Sequence, residues 1–411
     1  MKLLLKSETL VDGTGSAAKQ NYSVLIENGK ITAISDSDSI ESSTDIKVID
    51  VPGGTILPGF IEMHSHIHCS SKSTAFEDLA NDSDETLLIR ATQAVRTALL
   101  SGVTTMRDLG SQNNIALSIR NAISNNIIPG PHLLIAGTPI TTTGGHCHMF
   151  GTEADTLDQV ITALRSQVKL GMDWIKIMAT GGRFTPRTNP LMPQYSLKIL
   201  QTVVEEAGRL GIPVAAHCHA TSGIKSSAES GINNLIHATW LSHDPDKVYQ
   251  YEPRIADMIA EKGLYVDPTI ATISLRQERD PNLSELSNDT NLLGDRDTFY
   301  ENLRDMWDRG VKLVTGLDSG MNYVGFGDYA WVPTFMVEKL GLSPIQAIQS
   351  GTSTSANCLG ISKTTGTLQL GKRADIVIVK GNASKSIQSL HNVDTVIKAG
   401  EIVKQSAIPK V

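Results

Sequence analysis

The sequence predicts an α/β protein, a (β/α)8 TIM barrel that carries a small β-sandwich domain built from both termini. Three observations carry that expectation. Eight short, almost wholly apolar runs alternate with longer stretches of helical spacing. The two ends share a hairpin-like texture that the middle lacks. Histidines, a lysine and an aspartate fall in or at the ends of the apolar runs.

At the N-terminal end, residues 3–6, 23–26 and 31–34 read as strands. Asn28-Gly29 lies between the last two and signals a hairpin, because both residues tolerate positive φ. Residues 376–379, 393–398 and 402–403 repeat the pattern, with turns at 371–375 and 399–401. Neither piece has enough apolar faces to stand alone. Residues 1–57 and 366–411 are therefore expected to form one composite domain, leaving 58–365 for the barrel. The eight barrel runs are 61–66, 103–108, 133–136, 174–178, 214–217, 235–237, 264–267 and 312–316. A parallel sheet covered on both faces explains why they are short and apolar. Among the intervening stretches, 86–100 and 197–210 have helical spacing, and Gly211 supplies a stop for the second.

Composition narrows the function. The 411 residues allow two or three domains, or one large barrel with an accessory unit. A net charge of −7 without basic runs argues against a protein that tracks nucleic-acid phosphates. The content of 40% hydrophobic and 19% charged residues excludes a disordered or fibrous chain. No window offers about 18 consecutive apolar residues, and the apolar stretch in residues 1–6 is too short for a signal peptide. The expectation is a cytoplasmic protein without a membrane partner. Cys69, Cys147, Cys218 and Cys358 show no CxxC spacing, so reduced thiols are expected rather than disulfides or a thiolate zinc site. Nothing marks any of them as a nucleophile.

In a TIM barrel the loops that follow the strands gather at one face, and catalytic groups collect there. His64 and His66 end the first run, Lys176 sits in the fourth, His217 and His237 end the fifth and sixth, and Asp318 follows the eighth. Residues i and i+2 of a strand point to the same side, roughly 6.6 Å apart, so both imidazoles of His64-Ser65-His66 can converge on one ion. Lys176 is the unusual member, an ammonium within the apolar run Trp174-Ile175-Lys176-Ile177-Met178. A buried cation must be paired, neutralised or modified. Two readings stand: an inward salt bridge with an aspartate, or an amine that has taken up CO2 to become an anionic carbamate able to bridge two metals.

The segments PGFIEMHSH, WIKIMATGG, AAHCH, LIHAT and TGLDSG, with the closing GTSTSANCLGI and GTLQLGKRADIVIV, resemble the metal-dependent amidohydrolase superfamily over essentially the whole chain. Within it the pattern is most similar to the dinuclear branch containing Xaa-Pro dipeptidase-like, arginine/lysine carboxypeptidase-like and imidazolonepropionase-related members. The resemblance implies His64, His66 and Asp318 on one metal, His217 and His237 on the other, and carboxylated Lys176 between them. It implies two divalent ions, Zn2+ given imidazole and carboxylate ligands, and hydrolysis by a hydroxide that bridges them. Asp318 then takes the proton and passes it to the leaving amine. His146, in Thr143-Gly144-Gly145-His146, is the candidate for contact with the substrate carbonyl.

Specificity is read from the loop after the lysine run. Arg183 and Arg187 offer two guanidiniums that can grip a substrate carboxylate. His219 and Tyr323 are expected at the pocket wall, with Tyr195 and Tyr329 as further aromatic neighbours, and His68 and His148 as second-layer candidates. The segment Ile236-His237-Ala238 departs from dipeptidase-like relatives, where Glu and Gly usually flank this histidine, and that argues against a simple Xaa-Pro specificity. The expected substrates are N-acyl or N-aminoacyl amino acids with a free carboxylate, including dipeptides and amide-linked xenobiotics. The alternatives are a cyclic-amide hydrolase, an aromatic-base deaminase, which Lys176 argues against, and a non-enzymatic binding barrel. A homo-oligomer is the expected assembly.

Overall fold

The structure, a computed structural model, describes residues 2–36, 39, 45–244, 246–280 and 296–406. The two ends of the chain build one seven-stranded sheet. Its central strand, Ile46–Pro58, lies parallel to Lys2–Leu10 on one side and antiparallel to Ile376–Lys380 on the other. Lys19–Glu27 and Lys30–Asp36 extend one flank, and Val393–Lys398 and Glu401–Gln405 the other. The predicted hairpin is present: Glu27 pairs with Lys30, and Asn28 and Gly29 take φ of 49° and 78°. Leu3, Leu5 and Ile26 from the N-terminal part meet Ile56, Ile376, Ile378 and Ile397 in a separate apolar cluster. Consecutive residues of Lys2–Leu10 and Ile376–Lys380 are buried on both faces, so the two ends are held by shared hydrophobic burial as well as by backbone pairing. Residues 407–411, assigned to this unit from the sequence, lie outside the described residues.

The middle of the chain is α/β with parallel strands. One sheet holds Phe60–Ser65, Val103–Asp108 and His132–Ile135. The other runs from Lys312–Leu313 through Tyr265–Asp267, Asn234–Leu241, Val214–Ala220 and Ile175–Met178 to two-residue strands at Ile140–Thr141 and Thr152–Glu153. All eight expected runs contain a strand, although the eighth is shorter than the pattern implied. The strands at 140–141 and 152–153 have no counterpart in the reading of the sequence, because two residues are too few for a period to show. Backbone hydrogen bonds also cross both gaps between the sheets. Met63 N donates to Thr315 O (3.0 Å) and Ser319 N to His64 O (3.1 Å), while Trp174 N donates to Ile135 O (3.2 Å).

The helices follow their signals. Asp84–Leu100 starts at Ser83, whose hydroxyl accepts from Thr86 N, and Leu197–Arg209 starts at Ser196 in the same way. The second helix ends at Leu210, and Gly211 follows with φ 71°. No helix of the described residues is long and apolar enough to cross a membrane.

Parallel pairing sets the level at which functional side chains emerge. Lys176 is opposite Ala215, Met178 is opposite His217, and Cys218 is opposite His237. The C-terminal ends of neighbouring strands are thereby aligned, and their inward-pointing residues meet.

Candidate metal centre

His64, His66, His217, His219 and His237 line one cavity with Lys176 and Asp318. His146 and Arg183 from two of the loops complete the predicted part of its wall. The sequence-predicted groups therefore meet, with two exceptions. Arg187 is exposed at φ 66° and Tyr323 is half-buried at φ 64°, and neither borders the cavity. Tyr195 donates to Ala154 O and Tyr329 packs on Phe60 beside Thr315, so both serve packing. His68 is buried outside the wall and His148 is exposed.

Two groups of ligand atoms form within this space. His64, His237 and Asp318 each place an atom within 4.8 Å of the others, and so do His217, His219 and His237. His66 Nε2 lies 3.4 Å from Asp318 Oδ1, the same oxygen that stands 3.4 Å from His64 Nε2. His237 thus belongs to both groups. His219, expected only at the pocket wall, lies with His217 and His237.

The outer hydrogen bonds decide which nitrogen each ring offers. Gly110 O can only accept, so His66 Nδ1, 2.8 Å away, carries the proton and Nε2 is left with its lone pair. His217 is turned the other way. Its Nε2 donates to Gly181 O at 3.0 Å, which frees Nδ1. His237 Nδ1 pairs with Thr269 Oγ1 (2.9 Å) and His219 Nδ1 with Thr239 Oγ1 (2.6 Å). Burial keeps every one of these rings neutral. It pushes His66 and His146 down to about 3, with help from the Lys176 charge, and His64, His217, His219 and His237 well below the usual histidine range.

Several polar atoms here make no hydrogen bond within the protein. Both ring nitrogens of His64, Asp318 Oδ1 and Asp267 Oδ2 are buried without a hydrogen bond. Buried polar groups left unmet cost free energy, and neutral imidazoles beside carboxylates are the donors a divalent cation takes. The residues present fit such an ion. Lys176, 1% exposed, is pushed toward its neutral form by burial, while burial pushes the Asp318 carboxyl up.

The backbone is also held in unusual shape at this point. His237 and Asp318 adopt φ of 69° and 62°. Side-chain-bearing residues rarely occupy that region, each at a cost of order 1–3 kcal/mol, and such strain collects at functional sites.

Asp267 is a site residue that reading the sequence missed. Its Oδ2 stands 3.5 Å from His64 Nδ1, and its Oδ1 accepts from Gly316 N and Thr269 N. In the sequence it reads as an ordinary strand end before Pro268. Gly316 makes room for it, since a Cβ there would fall 1.9 Å from Asp267 Oδ2. Gly316→Ala is therefore expected to displace the carboxylate that orients His64. Metal affinity should drop by about 10–100-fold, the usual effect of losing such a support, as read by metal titration of protein whose circular dichroism is intact. Unchanged affinity would show that His64 does not depend on Asp267.

A model of the amidohydrolase family matches residues 55–403. The chain belongs to the amidohydrolase family. It is an enzyme that hydrolyses carbon–nitrogen bonds of the amide type. This amidohydrolase is 25% identical over 340 residues to ochratoxinase of Aspergillus niger, covering 76% of this chain and 67% of that protein. It is 21% identical over 439 residues to imidazolonepropionase of Geobacillus kaustophilus, covering 93% and 90%. Among solved structures it is similar to a Xaa-Pro dipeptidase with methionine bound in the active site. There the TM-score is 0.85 at 29% identity, over 98% of this chain and all of that one (100%).

Proposed function

We propose that this amidohydrolase is a binuclear metal enzyme that cleaves the amide bond of N-acyl or N-aminoacyl amino acids. The observation that carries this reading is the pair of ligand groups sharing His237 beside a buried lysine. His64, His66 and Asp318 would hold one divalent ion, His217 and His237 the other, with carboxylated Lys176 between them and His219 alongside. The hydrogen bonds across both gaps between the parallel sheets support closure of residues 58–365 into a (β/α)8 barrel. The terminal sheet, with its own apolar cluster, supports the composite sandwich.

Bound zinc ions would supply Lewis acidity and a water of lowered pKa. The protein's own groups do the rest. Asp318 Oδ1, unpartnered and close to two ring nitrogens, is placed to take a proton from the attacking water and return it to the leaving amine. His146 is neutral, and its Nδ1 is buried without a partner, so it can meet the carbonyl oxygen as negative charge develops there. The His146 ring is fixed against Gly182, where a Cβ would come within 2.3 Å of it, and stands 4.4 Å from the His217 ring. The methionine in the dipeptidase's active site supports an amino acid as one half of the substrate. A cyclic amide is the second reading, favoured by the likeness to imidazolonepropionase.

The test is a metal count by mass spectrometry with and without bicarbonate, followed by turnover of a panel of acyl amino acids, cyclic amides and aminopurines. Two metals per chain and hydrolysis of acyl amino acids are expected. A metal-replete protein that turns over cyclic amides or aminopurines alone, or nothing, would overturn the reading.

A further inference from the structure

Arg276 lies on the helix Thr272–Arg279, which follows the strand bearing Asp267, and it lines the same cavity as Asp318 and His146. Its Nε is buried and has no hydrogen-bond partner. Among the described residues no carboxylate forms an ion pair with it, and the charges that act on it most are those of Asp318 and Asp280. Two other arginines show the contrast. Arg279, one turn on, is held by both oxygens of Asp328, and Arg107 donates to Met63 O and Asn234 while stacking on Trp174. Arg276 is half-buried at the cavity wall, and among the described residues nothing supplies a complement to its charge. A guanidinium does not escape this by losing its proton. Burying a charge is tolerated when an opposite charge arrives with hydrogen bonds, and a planar fork of donors matches a carboxylate.

The cavity wall also carries apolar side chains: Ile270 and Ile273 from the same segment, beside Thr269 and Thr272, and Phe299 and Met321 from later in the chain. A ligand bound here has one anionic group for Arg276 and one greasy group for those side chains, while its third point, the amide, reaches the histidines and Asp318. We propose that Arg276 receives the α-carboxylate of the substrate's amino-acid half and that Ile270, Ile273, Phe299 and Met321 take its aliphatic or aromatic side chain. The substrate class is thereby an N-acylated apolar amino acid with a free carboxylate. This inference rests on the amide-hydrolase reading and adds the group that selects the substrate.

The experiment compares N-acetyl-L-phenylalanine with N-(2-phenylethyl)acetamide, which presents the same amide and ring without the carboxylate. Wild-type enzyme, loaded with zinc, should favour the acid in kcat/KM by about 10²-fold, the range expected of a charge-assisted hydrogen-bonded pair. Arg276→Gln should collapse that ratio toward one, chiefly through KM for the acid, and Arg276→Lys should restore part of it. Arg183→Gln, at the other guanidinium on the wall, should leave most of the ratio in place. An equal fall on both compounds in R276Q would mark a structural role and overturn the inference. A ratio near one in wild type, or one lost in R183Q and kept in R276Q, would also overturn it while leaving the amide-hydrolase reading intact. Failure of metal-replete wild type to cut either compound or any other acyl amino acid would defeat that reading itself, and the inference with it.

Discussion

Lys176→Ala is expected to reduce the metal content from two ions per chain to one or none and to lower kcat/KM by more than about 10³-fold. That loss exceeds what removal of a single oxyanion donor costs. The argument begins with burial. An ammonium buried beside neutral imidazoles is disfavoured, and burial shifts Lys176 toward the free amine. A free amine adds to the carbon of CO2 and releases one proton, which leaves an anion with two oxygens at the end of a long arm. The surrounding rings are neutral, so two dications held by imidazoles and a single aspartate would carry a large uncompensated charge in a dry site. A carbamate would offset part of it and supply two ligand atoms. Alanine removes both contributions. A carbon-13 signal from labelled bicarbonate should be present in wild type and absent in the variant. Retention of two metals and full activity by K176A would show that the amine serves some other purpose, such as a salt bridge.

Asp318→Asn is expected to lower kcat by about 10²–10⁴-fold, the range that a positioned proton-transfer group contributes, with little change in melting temperature. Asparagine keeps the volume, and it is among the few residues that tolerate the positive φ found at this position. The backbone therefore gains no new strain. What is lost is an oxygen that two ring nitrogens approach at 3.4 Å and that can accept a proton. An amide can neither take a proton from water nor return it to an amine. Metal content must be measured alongside, because Asp318 also stands in the ligand group. A metal-replete D318N within about tenfold of wild type would assign the proton transfer elsewhere.

The metal-centre residues were legible because strand periodicity fixes both depth and direction. His64 and His66 share a side, and a histidine that closes an apolar run must emerge where that run ends. The terminal sheet was legible from its hairpin turns, although its continuous seven-strand order was not, since strand partners more than 300 residues apart leave no local trace. Specificity was poorly legible. Arg183 and Arg187 are equivalent in the sequence, yet the loop turns one to the cavity and the other to solvent. Arg276, within Leu275-Arg276-Gln277-Glu278-Arg279, carries no local mark of function, and only the fold brings it to the cavity wall. His219 shares a strand face with His217, a local signal that the pattern of single histidines at run ends does not use.

The strand Ile46–Pro58 passes through Gly59 straight into the first histidine strand, and Gly59 N is tied to Asp375 O (2.8 Å). A growing polypeptide on the ribosome makes the histidines early and the residues that brace them almost last. One side of Thr55–Pro58 pairs with Lys2–Leu10 as soon as it is made, but its other side is covered only when Ile376–Lys380 emerges. Long-range pairing of this kind makes for slow folding. A chain cut between the histidine strand and Ile376–Lys380 would leave one edge of Thr55–Pro58 without its neighbour.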